Sequence, residues 1–264
     1  MIAPLSISKK WFRIKKDFVI TNNSSFQKKL KSMRISKLSI VIPVFNEKDN
    51  ILKIIEKIEQ TDLGKTEKEI IIIDDCSTDG TRDKLKTIED RYKVIYQDRN
   101  YGKGFALRTG FKHTTGDYVI IQDADLEYDP DDYKIMLQAA ENRNANVVYG
   151  SRRLKKINNR YSGPFFYLGG VLVTVITNLL YGTKITDEPT CYKMFKKVLL
   201  DKIRLDCMRF EFCPEITAKI AKLGEKIIEV PIHYYPRRID EGKKIRWTDG
   251  WQAIMILIKY RFKK

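Results

Sequence analysis

The chain has 264 residues, and its hydrophobic content of 43% is that of a globular protein, which excludes a largely disordered chain. Its 50 lysines and arginines against 34 aspartates and glutamates give a formal net charge of +16, which predicts an anionic partner: a nucleic acid, an anionic membrane surface or a phosphate-rich substrate. A generally lysine-rich composition would explain the same excess. The two histidines and the four cysteines, which form no C-x-x-C pair, argue against a zinc-finger type of metal site and predict free thiols.

The chain begins with a basic, loop-like stretch over residues 1–36, in which Asp17 is the single acidic residue. We interpret it as a flexible basic arm, or as sequence that precedes a true start at Met33. The stretch has no compact apolar segment with a cleavage site, which a signal peptide would need, so we expect a cytoplasmic protein. Residues 37–248 then form the predicted main domain, and residues 249–264 a C-terminal helix.

Strands and helices alternate along the first half of the main domain. Short runs of β-branched residues predict buried strands over 38–44, 69–75, 92–97, 117–122 and 145–150. Apolar residues at helical spacing predict helices over 46–60, opened by Asn46, and then over 79–89, 103–114 and around 133–140. Because continuously apolar strands that alternate with helices are typical of parallel sheets, the sequence predicts an α/β fold, a mainly parallel sheet covered by helices.

The alternation stops after residue 150. The uncharged stretch over 165–182 is close to the lower length limit for spanning a bilayer, and we expect a buried helix or a membrane-contacting hairpin rather than a span. The remaining predicted elements are an antiparallel strand, a helix and a strand that Pro231 restricts to a sheet edge, over 189–195, 214–223 and 225–238.

Polar residues cluster where the predicted strands end. They are Asn46 and Glu47, Asp74 and Asp75, Gly102 to Gly104, and Asp123 to Asp125. The carboxyl ends of parallel strands meet at one edge of a sheet, which is where such folds bind ligands. We therefore expect these four groups to form one site.

The acidic run after the fourth strand indicates what this site binds. Asp123, Asp125, Glu127 and Asp129 stand at alternate positions, and so many like charges are costly unless a cation lies among them. Oxygen ligands without histidine or thiolate select a hard cation, and Mg²⁺ leaves coordination positions to phosphate oxygens. The run therefore predicts a metal-bound diphosphate. It lacks the glycine of an EF-hand loop, and its place on the fourth strand is atypical of a haloacid-dehalogenase-type phosphatase.

The motifs taken together resemble a known family. "VIPVFNE" (41–47), "IIIDDCSTDGT" (71–81), "NYGKGFALRTG" (100–110), "DYVIIQDADLEYDP" (117–130) and "GSR" (150–152) resemble the family 2 inverting glycosyltransferases, above all the dolichyl- or polyprenyl-phosphate sugar synthases. The likeness continues through "DEPTCYKMF", "RFEFCPEI", "EVPIHYYPRR" and "EGKKIRWTDGW". It implies a GT-A fold over the main domain, a nucleotide-sugar donor linked to UDP or GDP, and a divalent metal, Mg²⁺ or Mn²⁺, on the D-x-D.

The resemblance also implies roles for individual residues. Donor binding is implied for Pro43, Phe45, Glu47, Asp74, Asp75, Lys103 and Asp123, and for the basic loop with Lys243, Lys244 and Arg246. Metal binding is implied for Asp123, Asp125 and Glu127, although many relatives carry glutamine at the last position. Catalytic roles are implied for Asp123, Asp125, Arg152 and Lys193. Of these, Arg152 would meet the acceptor phosphate, while Lys193 replaces a commoner arginine and loses its bidentate recognition.

The predicted function is metal-dependent, inverting transfer of a hexose onto polyprenyl or dolichyl phosphate. A lipid phosphate is already an anionic nucleophile, so it needs no general base, which agrees with the shortage of histidines. The alternative acceptor is a hydroxyl of a cell-surface glycan, which would need a base, and the candidates are Asp187, Glu188, Glu211 and Glu215. A metal-dependent phosphatase and a nucleic-acid-binding module are remote alternatives. Since no RRM, KH or helix-turn-helix signature is present, we expect no nucleic-acid partner.

The C-terminal residues predict contact with a membrane. Trp251, Ile254, Met255 and Ile258 form an apolar face, which basic residues follow, Lys259, Arg261, Lys263 and Lys264. This pattern suits an interfacial helix on an anionic membrane surface, while a helix packed on its own domain with a solvated tail is the alternative. We expect a peripheral protein at the cytoplasmic face of the membrane, with a membrane-protein partner as a further expectation.

Overall fold

The strands predicted from apolar runs lie in one sheet of the computed structural model, which describes residues 34–154, 163–237 and 247–263. Within those ranges the sheet has seven strands, β1 (Lys37–Val44), β2 (Glu67–Asp74), β3 (Lys93–Tyr96), β4 (Tyr118–Ile121), β5 (Val147–Ser151), β6 (Lys193–Lys196) and β7 (Ile227–Pro231). Their order is β3-β2-β1-β4-β6-β5-β7. Strand β6 runs antiparallel to β4 and β5, and the other pairs are parallel. The mainly parallel α/β fold and the antiparallel strand are thus confirmed.

The helices cover both faces of this sheet. In the described ranges they are α1 (Ile51–Gln60), α2 (Thr81–Lys86), α3 (Lys103–Phe111), α4 (Tyr133–Arg143), α5 (Pro164–Tyr181), α6 (Lys197–Leu200), α7 (Phe212–Lys222) and α8 (Trp247–Phe262). Alternate residues of a strand point to opposite faces. Accordingly, Ile40 and Ile42 belong to the core that α1 and α4 cover, and Val41 between them belongs to the core that α3 and α7 cover.

Some element boundaries differ from the predictions. Helix α1 begins at Ile51 rather than Asn46. The backbone of Asn46 is left-handed, with φ of 51°, and its side-chain oxygen accepts a hydrogen bond from the Thr78 N–H at 2.9 Å. Asparagine tolerates this conformation, so the residue makes a turn at the strand end instead of opening the helix. The predicted strand over 225–238 ends at Pro231, and β7 lies at the edge of the described sheet, as Pro231 predicted.

The described residues from Ile35 onward form one compact unit. Most of the arm predicted over 1–36 lies outside the described residues, but its last residues belong to the domain. Ile35 is buried in the core, and the Ser36 N–H donates to the Asp117 carboxylate at 2.7 Å.

The uncharged stretch forms helix α5, which packs against α7 and α8. Their shared core consists of Val173, Ala218, Leu257 and Tyr260. Among the described residues, no helix is both long and apolar enough to cross a membrane. Each of α5 and α8 exposes a stripe of apolar side chains, which we call the apolar stripes: Leu168, Leu172, Val175 and Leu179 on α5, and Trp251, Met255, Ile258 and Phe262 on α8. Of the face predicted on the C-terminal helix, Ile254 packs inward instead.

Candidate active site

A cavity of about 530 Å³ opens at the edge where the parallel strands end. Each of the seven described strands contributes to its wall through residues at or after its carboxyl end, or, for the antiparallel β6, through residues that precede it. The lining includes Pro43, Phe45, Glu47, Asp75, Lys103, Asp123, Asp125, Glu127, Cys191, Arg152, Arg209, Phe210, Tyr234 and Arg237. The four strand-end groups predicted to meet do meet at this cavity.

Basic side chains neutralise the D-x-D carboxylates. The Lys103 ammonium lies 2.5 Å from Asp123, and the Arg237 guanidinium lies 3.2 Å from Asp125. Burial raises the pKa of Asp125 to about 7, and the neighbouring carboxylates of Asp123 and Glu127 add to the rise. Asp125 is therefore a buried carboxylate whose ionised form the guanidinium of Arg237 stabilises only in part.

Arg237 connects two strand ends across the cavity. Its guanidinium donates two hydrogen bonds to the Glu47 carboxylate, at 3.2 and 3.1 Å, in addition to its ion pair with Asp125. Glu127 holds the segment of chain that carries Arg237, because its carboxylate accepts hydrogen bonds from the Tyr234 hydroxyl and from the Arg237 backbone N–H, both at 2.8 Å. We call residues 234–237 the crossing segment.

Left-handed backbone shapes this edge of the sheet. Of the four non-glycine residues with positive φ in the described ranges, Asn46, Cys76 and Leu126 follow the ends of β1, β2 and β4. Leu126, with φ of 63°, lies between Asp125 and Glu127. Such conformations cost energy and concentrate at functional sites, so the acidic run is a tight turn and not a continued strand.

The two aspartates suit a divalent cation in their chemistry. Mg²⁺ takes oxygen ligands and is often held by one or two carboxylates, with phosphate oxygens and water completing its shell. Asp123 and Asp125 supply such oxygens at the cavity, and the carboxylate of Glu127 adds a third negative charge beside them. Across the described residues, no three histidine, cysteine or acidic side chains converge as a ready-made metal site. The carboxylate of Glu127 already accepts two hydrogen bonds from the crossing segment, and its metal role stays a prediction.

The two aspartates after β2 have different environments. Asp74 is fully buried, makes an ion pair with Arg82 at 2.5 Å, and is not part of the cavity wall. Asp75 lines the cavity and accepts the N–H groups of Tyr101 and Gly102 at 2.8 and 2.7 Å. Burial raises the pKa of Asp75. Of these two residues, for which donor binding is implied, Asp75 is therefore the one that a donor in the cavity could contact.

The glycines before and within α3 allow a second loop to reach the cavity. A Cβ on Gly104 would lie 2.8 Å from the Arg209 carbonyl oxygen, and one on Gly102 would lie 2.6 Å from that of Met208. No side chain fits at such distances, so glycine is needed for close approach. This contact brings Arg209 and Phe210 into the cavity wall, which the sequence did not predict.

Arg152 lines the cavity in a fixed orientation. Its guanidinium donates to both oxygens of Asp187 at 2.7 Å, and its backbone N–H donates to one of them at 3.0 Å. Burial alone would raise the pKa of Asp187, but the charge and hydrogen bonds of Arg152 lower it instead. Asp187 is thus a partner of Arg152, and its low pKa makes it a poor base at neutral pH.

Lys193 is fully buried and does not line the cavity. Its ammonium donates to the Glu188 carbonyl oxygen at 2.8 Å and lies 3.7 Å from the ring centre of Tyr149. Glu188 is buried as well, and burial raises the pKa of its carboxyl. Neither residue is placed to touch a substrate in the cavity. Lys243, Lys244 and Arg246 lie outside the described residues.

Glu215 holds the loop that carries Arg209. Its carboxylate accepts the N–H groups of Asp206 and Cys207, both at 2.7 Å, and the Tyr260 hydroxyl of α8 at 2.8 Å. Burial would raise the pKa of Glu215, but the hydrogen bonds from Lys219, Asp206 and Tyr260 lower it. Glu211 accepts the Arg209 N–H at 2.8 Å. Neither Glu211 nor Glu215 is part of the cavity wall.

Comparison with known proteins identifies the class of this fold and then its family. The structure matches glucosyl-3-phosphoglycerate synthase from Mycobacterium tuberculosis in complex with Mn²⁺, uridine diphosphate and phosphoglyceric acid, with a TM-score of 0.67 and 20% identity, over 89% of this chain and 81% of that one. The same enzyme with Mn²⁺, UDP-glucose and phosphoglyceric acid gives a TM-score of 0.66. The predicted GT-A glycosyltransferase fold is therefore confirmed. The profile of Glycosyl transferase family 2 matches residues 39–204, and the chain belongs to this family.

A curated relative adds a more specific likeness. The chain is 29% identical, over 215 residues, to the dolichol-phosphate mannosyltransferase of Pyrococcus furiosus. The matched region is 78% of this chain and 59% of that relative, so the chain spans about three fifths of the relative's length. The resemblance to family 2 drawn from the motifs is confirmed.

Proposed function

We propose that this glycosyltransferase transfers a hexose, with inversion, from a UDP- or GDP-linked sugar onto the phosphate of a polyprenyl or dolichyl lipid. The phosphate oxygen attacks the anomeric carbon, whose bond to the nucleoside diphosphate breaks, and the diphosphate leaves with the electron pair. A divalent metal at Asp123 and Asp125 would stabilise the charge that develops on this leaving group. The Lys103 ammonium beside Asp123 lies where it can add to that stabilisation.

The observation that carries the proposal is the position of Arg152 in the same cavity as the D-x-D. The two come from strands on either side of β6, so a donor held at Asp123 and Asp125 and an anion held at Arg152 would share one enclosed space. Arg152 is oriented by its pairing with Asp187, and its guanidinium lies 4.9 Å from the Tyr234 ring centre. Such a rigid guanidinium suits recognition of a phosphate.

The carboxylates of the cavity favour a phosphate acceptor over a hydroxyl. Each lining carboxylate already has a cationic or N–H partner: Glu47, Asp75, Asp123, Asp125 and Glu127. The base candidates Asp187, Glu188, Glu211 and Glu215 are not in the wall. A phosphate acceptor needs no base, whereas a hydroxyl does. The dolichol-phosphate mannosyltransferase relative supports the same acceptor and points to mannose.

A transfer assay tests this proposal. Short-chain polyprenyl phosphate, the matching polyprenol and 3-phosphoglycerate would each be incubated with UDP- and GDP-hexoses, in Mn²⁺ or in EDTA. We expect sugar transfer to polyprenyl phosphate, and its loss in EDTA and in Asp125→Ala. Asp131→Ala is the control, since this nearby carboxylate is exposed and pairs only with Lys134 within the described residues. Transfer to the polyprenol or to phosphoglycerate, with none to the lipid phosphate, would contradict the acceptor.

We further propose that the apolar stripes of α5 and α8 contact an anionic membrane at its cytoplasmic face. The side chains of Leu179 and Trp251 are 79% and 63% exposed, which is costly in water. Basic residues lie in and just after the last turn of α8, Lys259, Arg261 and Lys263, and complement anionic lipid head groups. This surface would bring the cavity to the lipid that carries its acceptor.

Vesicle sedimentation tests the membrane contact. We expect Leu179→Glu and Trp251→Glu to weaken binding to phosphatidylglycerol vesicles by about tenfold each, because burying one large apolar side chain contributes roughly 1.5–3 kcal/mol. Val198→Glu is the control, as this α6 residue is 60% exposed and lies outside the stripes. Equal binding by all three variants would refute the proposed surface.

A further inference from the structure

Arg237 pairs with one of the two carboxylates that a metal would need, that of Asp125. Its guanidinium lies 3.2 Å from Oδ2 of Asp125 and donates to both oxygens of Glu47. The other oxygen of Asp125, Oδ1, accepts the Glu127 N–H at 3.1 Å. Oδ2 accepts no backbone N–H within the described residues, and a cation that binds there meets the guanidinium of Arg237.

Backbone hydrogen bonds hold the segment that carries this guanidinium, although one of the guanidinium's own N–H donors has no partner among the described residues. Glu127 accepts the Arg237 N–H, and its carbonyl oxygen accepts the Tyr235 N–H, both at 2.8 Å. Nε of Arg237 is buried and has no hydrogen-bond partner among the described residues. An unsatisfied buried donor costs free energy. The side chain of Arg237 can therefore move away from Asp125 at a low cost in free energy when another cation binds there.

Arg237 is also the cation that offsets the negative charge of the Asp125 carboxylate. Among the described residues it is the ion-pair partner of that aspartate, while Lys103 pairs with Asp123 and Arg152 pairs with Asp187. Its side chain is 18% exposed and lines the cavity, so a displaced guanidinium would still face the space where the donor diphosphate lies.

We infer that Arg237 is a positioning residue that acts as an internal counter-ion, holding Asp125 in the metal-free protein and yielding that carboxylate to the divalent cation. The inference rests on the proposed metal-dependent function. It means that the cation and the guanidinium compete for Oδ2 of Asp125. Metal affinity without donor is therefore lower than the carboxylates alone would give. The released guanidinium then becomes available to the anionic diphosphate, so donor and metal favour each other's binding.

Mn²⁺ titration followed by electron paramagnetic resonance tests this competition. We expect Arg237→Gln to bind Mn²⁺ at least about tenfold more tightly than the wild type without nucleotide, because removing a cation within 4–6 Å of a carboxylate shifts ion binding by one power of ten or more. Adding UDP or GDP should raise Mn²⁺ affinity more in the wild type than in the variant. Arg209→Gln, which removes the same charge from the same cavity wall, should change Mn²⁺ affinity less than threefold.

The outcomes separate this inference from the proposed function. Weaker or unchanged Mn²⁺ binding by Arg237→Gln would show that Arg237 merely supports the carboxylates, and would overturn the inference while leaving the function standing. A wild type that binds no Mn²⁺ even with nucleotide would overturn the metal dependence and the inference with it. If Arg237→Gln fails to fold, Arg237→Lys decides. Lysine keeps the charge but cannot bridge bidentately, so we expect Mn²⁺ affinity to rise about threefold, and no rise would refute the competition.

Discussion

Asp187→Asn separates two roles for the fully buried carboxylate that pairs with Arg152. Asp187 is fully buried and receives three hydrogen bonds from Arg152, at 2.7, 2.7 and 3.0 Å. Removing one partner of a buried ion pair typically costs about 3–5 kcal/mol. Asparagine keeps the shape and one carbonyl oxygen, so we expect the free energy of unfolding to fall by about 3 kcal/mol, the low end of that range. Urea unfolding followed by circular dichroism measures it.

The same variant should affect acceptor binding. Without the carboxylate, Arg152 loses its fixed orientation, so we expect a higher KM for the lipid phosphate and an unchanged shape of the pH–rate profile. Asp201→Asn is the matched control, because Asp201 makes an exposed pair with Lys197 on α6, and such surface pairs contribute about 0–1 kcal/mol. Wild-type stability in Asp187→Asn, together with loss of the acidic limb of the pH profile, would refute this reasoning and make Asp187 a general base.

Two further predictions concern the loop beneath the cavity. Gly104→Ala would place a methyl group 2.8 Å from the Arg209 carbonyl oxygen, so we expect the free energy of unfolding, measured in urea, to fall by about 1–3 kcal/mol. The control, Gly169→Ala on α5, has nothing within 4 Å and should be neutral or stabilising. Equal effects of the two substitutions would contradict the packing. Glu215→Gln should cost stability at pH 7, and this difference from the wild type should shrink as pH falls below about 4.5. The reason is that the folded pKa of Glu215 is lowered, so its stabilisation is present above the unfolded pKa and is lost on protonation. A difference that stays constant down to pH 3 would exclude the charge of Glu215 as its cause.

The sequence predicted the sheet well because its strands carry strong local signals. Runs such as "EIIIIDD" are apolar on both faces, which only a doubly covered strand needs, and β2 ends within one residue of the predicted end. Boundaries were less predictable where one residue type serves two purposes. Asn46 is a good opener of helices and a good turn residue, and contact with the Thr78 N–H, 32 positions away, decided between them.

The candidate site was predictable where it depends on strand ends. Asp123, Asp125 and Lys103 follow predicted parallel strands, whose carboxyl ends share one edge of the sheet, and the structure brings them to one cavity. Arg237 could not be predicted in this way. The crossing segment follows the edge strand β7, yet Arg237 contacts residues that follow β4 and β1, beyond β5 and β6 in the sheet. The one available signal was the pair of arginines in "YYPRR", directly before a basic loop.

Adjacent residues posed a different difficulty. Asp74 and Asp75 are equivalent to any argument from spacing, yet successive side chains of an extended chain point to opposite sides. Only one of them could line the cavity, and the ion pair with Arg82 shows that it is not Asp74. Lys193 is not placed by spacing either: it is fully buried against the Tyr149 ring and does not line the cavity.

The hydrogen bonds of Glu215 have a mechanical consequence. One carboxylate joins the N–H groups of Asp206 and Cys207 to the Tyr260 hydroxyl of α8. The loop that begins there packs on Gly104 and continues to Arg209 in the cavity wall. These hydrogen bonds fix the position of the last helix, α8, relative to the cavity. The cavity opening therefore lies at a fixed distance from any surface that the exposed side of α8 contacts.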